Sequence, residues 1–230
     1  MERHIDTELK HLQERLLFMG GLVEEAIGRA MRALVSRDAA LAQQVVTSDA
    51  AVNMLEIEVD DLCLKFLALH HPEASDLRFV TMAFKINNDL ERMGDLAVNI
   101  AERTLDLLKD PLLKPLIDIP RMAAMAQGMV KDSLDAFVRR DADLAREICR
   151  RDDDVDNINQ QLFRELLTYM LQDPRTIERA VELILVGRHL ERLADHATNI
   201  AEDVVFLVQG RTIKHHVAEQ QPDSDNHRAG

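Results

Sequence analysis

With 230 residues, nearly half of them hydrophobic (47%), the chain is long enough to bury a substantial core in one large domain or two small ones. Aromatic residues make up only 3%, so Leu, Ala, Met, Val and Ile must fill that core, a composition suited to helices packed on helices. A formal charge of −13 repels phosphate backbones and argues against nucleic acid as a partner, while suiting a soluble protein or a cation binder.

Residues 1–10 are charged and carry no apolar signal region. No stretch approaches the roughly 18–20 uncharged apolar residues of a membrane span. The expected location is cytoplasmic, with no direct membrane insertion and with peripheral association with inner-membrane complexes left open. Only 8 Gly and 6 Pro leave few turn signals, so the elements must be few and long. Periodicity predicts helices over 5–35, 38–70 and 76–109, then over 117–140, 141–171 and 175–209. Pro72, Pro111, Pro115 and Pro174 punctuate the joins, and Asp38, Asp76 and Asp141 are the expected N-caps. The segment 109–120 (KDPLLKPLIDIP) holds three of the six prolines and divides the chain best. The predicted organisation is a three-helix bundle over 1–112, a second over 113–212, and a polar, disordered tail over 213–230.

The two halves are copies. DLERMGDLAVNIAERTLDLL (89–108) and HLERLADHATNIAEDVVFLV (189–208) share ten of twenty positions at an offset of 100. Upstream, residues 36–55 resemble 139–158 at an offset of 103. In 76–109 an apolar seam runs Leu90, Met93, Ala97, Ile100, Thr104, Leu107, in steps of three and four. Its copy is Leu190, Leu193, Ala197, Ile200, Val204, Leu207. Both need neighbours along their length, which makes the fold all-α: two tandem three-helix bundles related by internal duplication.

Opposite the first seam lie Glu91, Asp95, Asn99, Glu102 and Asp106; the copy has Glu191, Asp195, Asn199 and Glu202 before Phe206 interrupts it. The second helix carries Asp49, Asn53, Glu56 and Asp60, and its copy Asp152, Asp156 and Asn159 before Phe163. A solvated face is the plain explanation of such stripes. Yet wet faces usually interleave cations, whereas Glu91/Asp95 and Glu191/Asp195 are like-charge i,i+4 pairs. Each costs roughly 0.2–0.5 kcal/mol in an isolated helix. A bound cation turns that repulsion into coordination, and an oxygen-only set suits Mg, Mn, Ca or iron rather than structural zinc. Both readings stand on spacing alone.

The remaining candidates read as ordinary structure. Cys63 and Cys149 are expected as small buried hydrophobes, His189 as packing, His196 as a core or surface residue, and His70-His71 and His215-His216 as solvated. Glu8-x-x-His11 has the spacing of carboxylate-bridged di-iron bundles but occurs once. Gly20-Gly21, inside the first helix, are read as close helix packing.

Gly20-Gly21, RDAALAQQVVTSDAAVNMLE, ASDLRFV, LLTYML, DPRTIERA and the paired LERxxD segments together resemble the PhoU family, in order, over about residues 1–215. The resemblance implies two related three-helix bundles and a cytoplasmic negative regulator of the phosphate regulon. Such a regulator modulates phosphate uptake by linking a phosphate ABC transporter, through its ATPase subunit, to a membrane-bound sensor histidine kinase. It further implies homodimerisation and, as in some members, metal clusters on paired E(D)xxxD motifs. Here these map to Asp49/Asn53 with Glu91/Asp95, and to Asp152/Asp156 with Glu191/Asp195. Asn53 departs from the acidic pattern and supplies no charge. The alternative class is a metal enzyme or iron-storage bundle. No phosphate-cradling Gly-rich loop and no nucleophile elbow is present, so no enzymatic activity is expected.

Overall fold

The computed structural model describes residues 4–211 and residue 213. All regular structure among them is helical: α1 (His4–Ser36), α2 (Ala39–Ser48), α3 (Ala50–Leu69), α4 (Ala74–Leu107), α5 (Asp118–Arg139), α6 (Ala142–Gln172) and α7 (Ile177–Gln209), with one 3-10 turn at Pro174–Thr176. The expected disordered tail over 213–230 lies outside the described residues, apart from Ile213.

The duplication is visible in the connections. α1 and α5 both end in a residue with positive φ, Arg37 at 56° and Arg140 at 52°. In each case the next amide reaches back to close the helix: Asp38 N–H donates to Ala33 O and Asp141 N–H to Ala136 O, both at 2.9 Å. The two aspartates then cap the following helices, as expected. Asp38 accepts from the Leu41 amide, and Asp141 from the amides of Asp143 and Leu144.

Two expectations need correction. The helix over 38–70 is divided at Asp49, where the Val52 amide bonds Asp49 O one residue early (2.9 Å), tightening the turn. Asp76 is not an N-cap. α4 starts at Ala74, and Asp76 sits in its first turn, where a negative charge faces the positive end of the helix dipole.

α4 packs on α1, α2 and α3, α7 packs on α5 and α6, and the two units meet through α4 against α7 and α1 against α5. Buried side chains from all seven helices form one continuous apolar cluster. α4 and α7 run antiparallel: Lys85 pairs with Asp203, Asp89 with His196, and Arg103 with Glu182. The connection over 108–117 is anchored too. Lys114 is buried and pairs with Glu165 of α6 and Asp118 of α5. Arg37 donates to Asp110 O at 2.6 Å just past α4.

Gly20 does serve close packing, since a Cβ there would meet Leu134 Cδ1 of α5 at 2.3 Å; Gly21 faces open space. Cys63 is buried and Cys149 half-buried, and burial pushes the two thiols up to about 12 and about 11. Neither is a ready nucleophile.

Candidate functional site

In the second bundle, α6 and α7 bring all four predicted residues to one face. Asp152 and Asp156 lie one turn apart on α6, opposite Glu191 and Asp195 on α7. Gly187 permits the approach: a Cβ there would meet Asn159 Oδ1 at 2.7 Å and Leu162 Cδ2 at 2.9 Å. Asn159, itself on the predicted stripe, donates to Glu191 Oε2 at 2.6 Å.

Burial first, then mutual repulsion, holds these acids above the usual carboxylate range. Asp152 is pushed up to about 7, through desolvation and the charges of Asp195, Asp156, Asp153 and Glu191. Desolvation, then Asp195 and Asp153, raises Asp156; desolvation, then Asp156 and Asp195, raises Glu191. Burial also raises Asp195, opposed by His196 and Arg192. One oxygen each of Asp152 and Asp156 is buried without any hydrogen-bond partner. Buried acceptors in this state lack the counter-charge or donor that normally accompanies them.

The first bundle repeats the arrangement more weakly. Asn53 Nδ2 donates to Asp49 Oδ2 at 2.9 Å, and its own carbonyl oxygen is buried without a partner. Glu91 is raised by burial and by Asp95, Glu56 and Asp49, with Arg92 opposing. Arg92 lies 3.4 Å from Glu91 and 3.7 Å from Asp95, so a resident guanidinium already offsets part of this charge. Spacing did not single out Arg92, although the Leu-Glu-Arg run in both copies contains it.

The wider stripes do not all belong to the faces. Asp60 accepts from Asn87, and Asp106 pairs with Arg103 and Lys109. Among the described residues, no three His, Cys, Asp or Glu side chains are drawn together tightly enough to hold one ion. The carboxylates face one another without converging. Their orphaned oxygens and hard-donor chemistry nevertheless fit an oxygen-seeking cation.

One histidine expectation needs correction. His70 is not simply solvated: its Nε2 lies 2.8 Å from Glu8 Oε2, and its ring packs at a tilt on Phe66. That pairing also takes Glu8 away from the Glu8-x-x-His11 motif. His196 Nδ1 lies 2.8 Å from Asp89 Oδ1, bridging the two bundles. His189 is packed as expected, and burial, then Arg192, Arg103 and Arg188, lowers its pKa.

The fold and site define a class: a duplicated three-helix bundle in which each copy opposes acidic residues across neighbouring helices. Residues 16–104 and 119–204 each match the PhoU domain. The chain is similar to the "phosphate-specific transport system accessory protein PhoU homolog" of Aquifex aeolicus, with 44% identity over 93% of this chain and 97% of that one. It is also similar to the homolog of the same name from Pseudomonas aeruginosa, with 40% identity over 94% and 89%. The crystal structure of PhoU from Pseudomonas aeruginosa superposes with a TM-score of 0.88, at 41% identity, over 90% of this chain and all (100%) of that one. The phosphate transport system regulatory protein PhoU from Streptococcus pneumoniae gives 0.85, at 32% identity, over 91% and 99%. The chain belongs to the PhoU family.

Proposed function

We propose that this protein is an accessory regulator of phosphate transport that couples a phosphate ABC transporter, through its ATPase subunit, to a sensor histidine kinase. It acts from the cytoplasmic side and favours the kinase's inactive conformation when phosphate is ample. The supporting observation is end-to-end similarity. Relatives named for this accessory role match at 40–44% identity over at least 93% of this chain. No helix among the described residues is long and apolar enough to cross a membrane, in keeping with a protein that docks on membrane complexes.

We further propose that the acidic faces hold divalent or iron cations. Asp152, Asp156, Glu191 and Asp195 form the stronger site, and Asp49, Asn53, Glu91 and Asp95 the weaker. The bound ion would supply positive charge that cancels the carboxylate repulsion and ties neighbouring helices together. Asn159, bonded to Glu191 Oε2, would hold that carboxylate in place.

The test of the regulatory role is deletion of the gene with a phosphate-regulon reporter in rich phosphate, together with pull-down from the same cells. Derepression, with co-purification of a transporter ATPase or sensor kinase, is expected. An unchanged reporter would overturn the reading. For the cations, elemental analysis of gently purified protein is expected to return a stoichiometric metal that D152N/D156N loses.

A further inference from the structure

One acid on the stripe of α3 is still without a role. Asp60 is taken up by Asn87, whose Nδ2 donates to Asp60 Oδ1 and to the backbone oxygen of Glu56, both at 2.9 Å. The Glu56 side chain, half-buried one turn away, is in no ion pair among the described residues.

The register of α3 on α4 sets what Glu56 faces. The two helices run antiparallel: Asn87 meets Glu56 and Asp60, and a Cβ on Gly94 would meet Val52 Cγ1 at 3.2 Å and Asp49 Oδ1 at 3.6 Å. Between those two points Glu91 comes level with the turn from Asn53 to Glu56. Burial and then Asp95 raise the Glu91 carboxyl most; Arg92 opposes them, and Glu56 raises it further, ahead of Asp49. The ion pairs of Arg92 are to the α4 carboxylates Glu91 and Asp95 alone.

In the second bundle the same cross-helix contact is a hydrogen bond. Position 56 corresponds to 159 at the offset of 103, and Asn159 donates to Glu191 Oε2 at 2.6 Å. A side chain at this position therefore reaches the glutamate of the facing helix. Along α3 the order is Asp49, Asn53, Glu56; along α6 it is Asp152, Asp156, Asn159. An acid and an amide have exchanged places. Together with Glu91 and Asp95, or Glu191 and Asp195, each face then has four carboxylates and one amide. The amides also act alike, each donating to a carboxylate of its own face: Asn53 to Asp49 Oδ2 at 2.9 Å, and Asn159 to Glu191.

We propose that Glu56 is a cation ligand of the first face, where it supplies the carboxylate that Asn53 lacks. Asn53 is a positioning residue there, steadying Asp49 through its amide donor. The acids of the first face become Asp49, Glu56, Glu91 and Asp95, an all-oxygen set suited to a hard divalent ion. The assignment rests on the cation reading proposed above.

The test is calorimetric titration of the full chain with Mn²⁺ in a D152N/D156N background, so that binding reports on the first face. E56Q is expected to weaken binding at least about tenfold. N53A removes no charge and is expected to weaken it less. E56N should lose binding as E56Q does, and N53D/E56N, which writes the order of the second face into the first, should restore it. Circular dichroism melts without cation should show every variant folded, with E56Q no less stable than its parent because the repulsion on Glu91 is relieved. Undiminished binding by E56Q, or no rescue of E56N by N53D, overturns the assignment alone. A loss in N53A as large as that in E56Q also overturns it and gives the place to Asn53. Absence of Mn²⁺ binding by the D152N/D156N parent removes the cation reading of this face, and the assignment with it.

Discussion

Lys85 Nζ lies 3.2 Å from Oδ1 of Asp203, 118 residues further along the chain. At the far end of the same antiparallel crossing, Arg103 Nη1 lies 3.2 Å from Oε2 of Glu182. Position 203 is the copy of position 103, and 182 lies one turn from the copy of 85. The two bridges are therefore approximate images of each other with the charges exchanged. Asp203 is the more demanding partner, because its side chain is only 3% exposed. Lys85→Met is expected to destabilise the protein by about 1–3 kcal/mol, since it withdraws a cation from a buried carboxylate. Urea titration checks this, and a loss confined to one half of the chain would contradict the shared core.

Arg37 and Arg140 both occupy the left-handed region, at a cost of roughly 1–2 kcal/mol for a residue with a Cβ. Arg37 recovers some of it by bonding Asp110 O at 2.6 Å. Arg140→Gly is expected to stabilise by about 0.5–1 kcal/mol, and Arg37→Gly to bring no gain. Thermal melts of the two variants separate these outcomes, with roughly 2–4 °C per kcal/mol for a chain of this size.

Protein stripped of metal should respond to pH through Asp152. Its folded pKa, about 7, lies above the ordinary value of 3.8. The folded state therefore holds the proton more tightly than the unfolded state between those values, and stability falls as pH rises through that window. The melting temperature of chelator-treated protein is expected to drop from pH 5 to pH 8. Asp152→Asn should flatten that slope. A slope of the opposite sign would refute the assignment.

Asn53 is the one neutral member of the eight predicted ligands. Asn53→Asp is expected to lower the stability of stripped protein, by crowding Asp49 and Glu91, and to raise its gain on adding a divalent cation. Saturation at one hundred times Kd is worth about 2.7 kcal/mol. Calorimetric melts with and without cation check both halves of this prediction.

Gly187→Ala is expected to cost about 1–3 kcal/mol, because the new methyl displaces Asn159 and Leu162. It should also weaken any cation held through Glu191, which loses the Asn159 bond.

Helix periodicity and the repeat were legible in the sequence because both are local or follow a fixed offset. The paired acidic faces were legible for the same reason, since i,i+4 spacing fixes a helix face wherever the helix is placed. The relationships that were missed join distant segments. A wheel drawn for α7 put His196 about 100° from Asp195 and could say nothing of Asp89, which arrives from the other bundle. Asp49 kept helical dihedrals, so nothing in its propensity marked the break there. Phe163 was read as the end of an acidic stripe.

The antiparallel crossing of α4 and α7 has a consequence for symmetry. The crossing sets the two repeats against each other about an approximate twofold, so each long last helix meets its own copy. Once both partners are encoded in tandem, symmetry no longer forces their outer surfaces to match. Asn53 of one copy stands where the other has the acid Asp156, and Asp60 where the other has Phe163. Tandem duplication thus leaves the two outer surfaces free to differ, whereas a symmetric pair of chains would keep them identical.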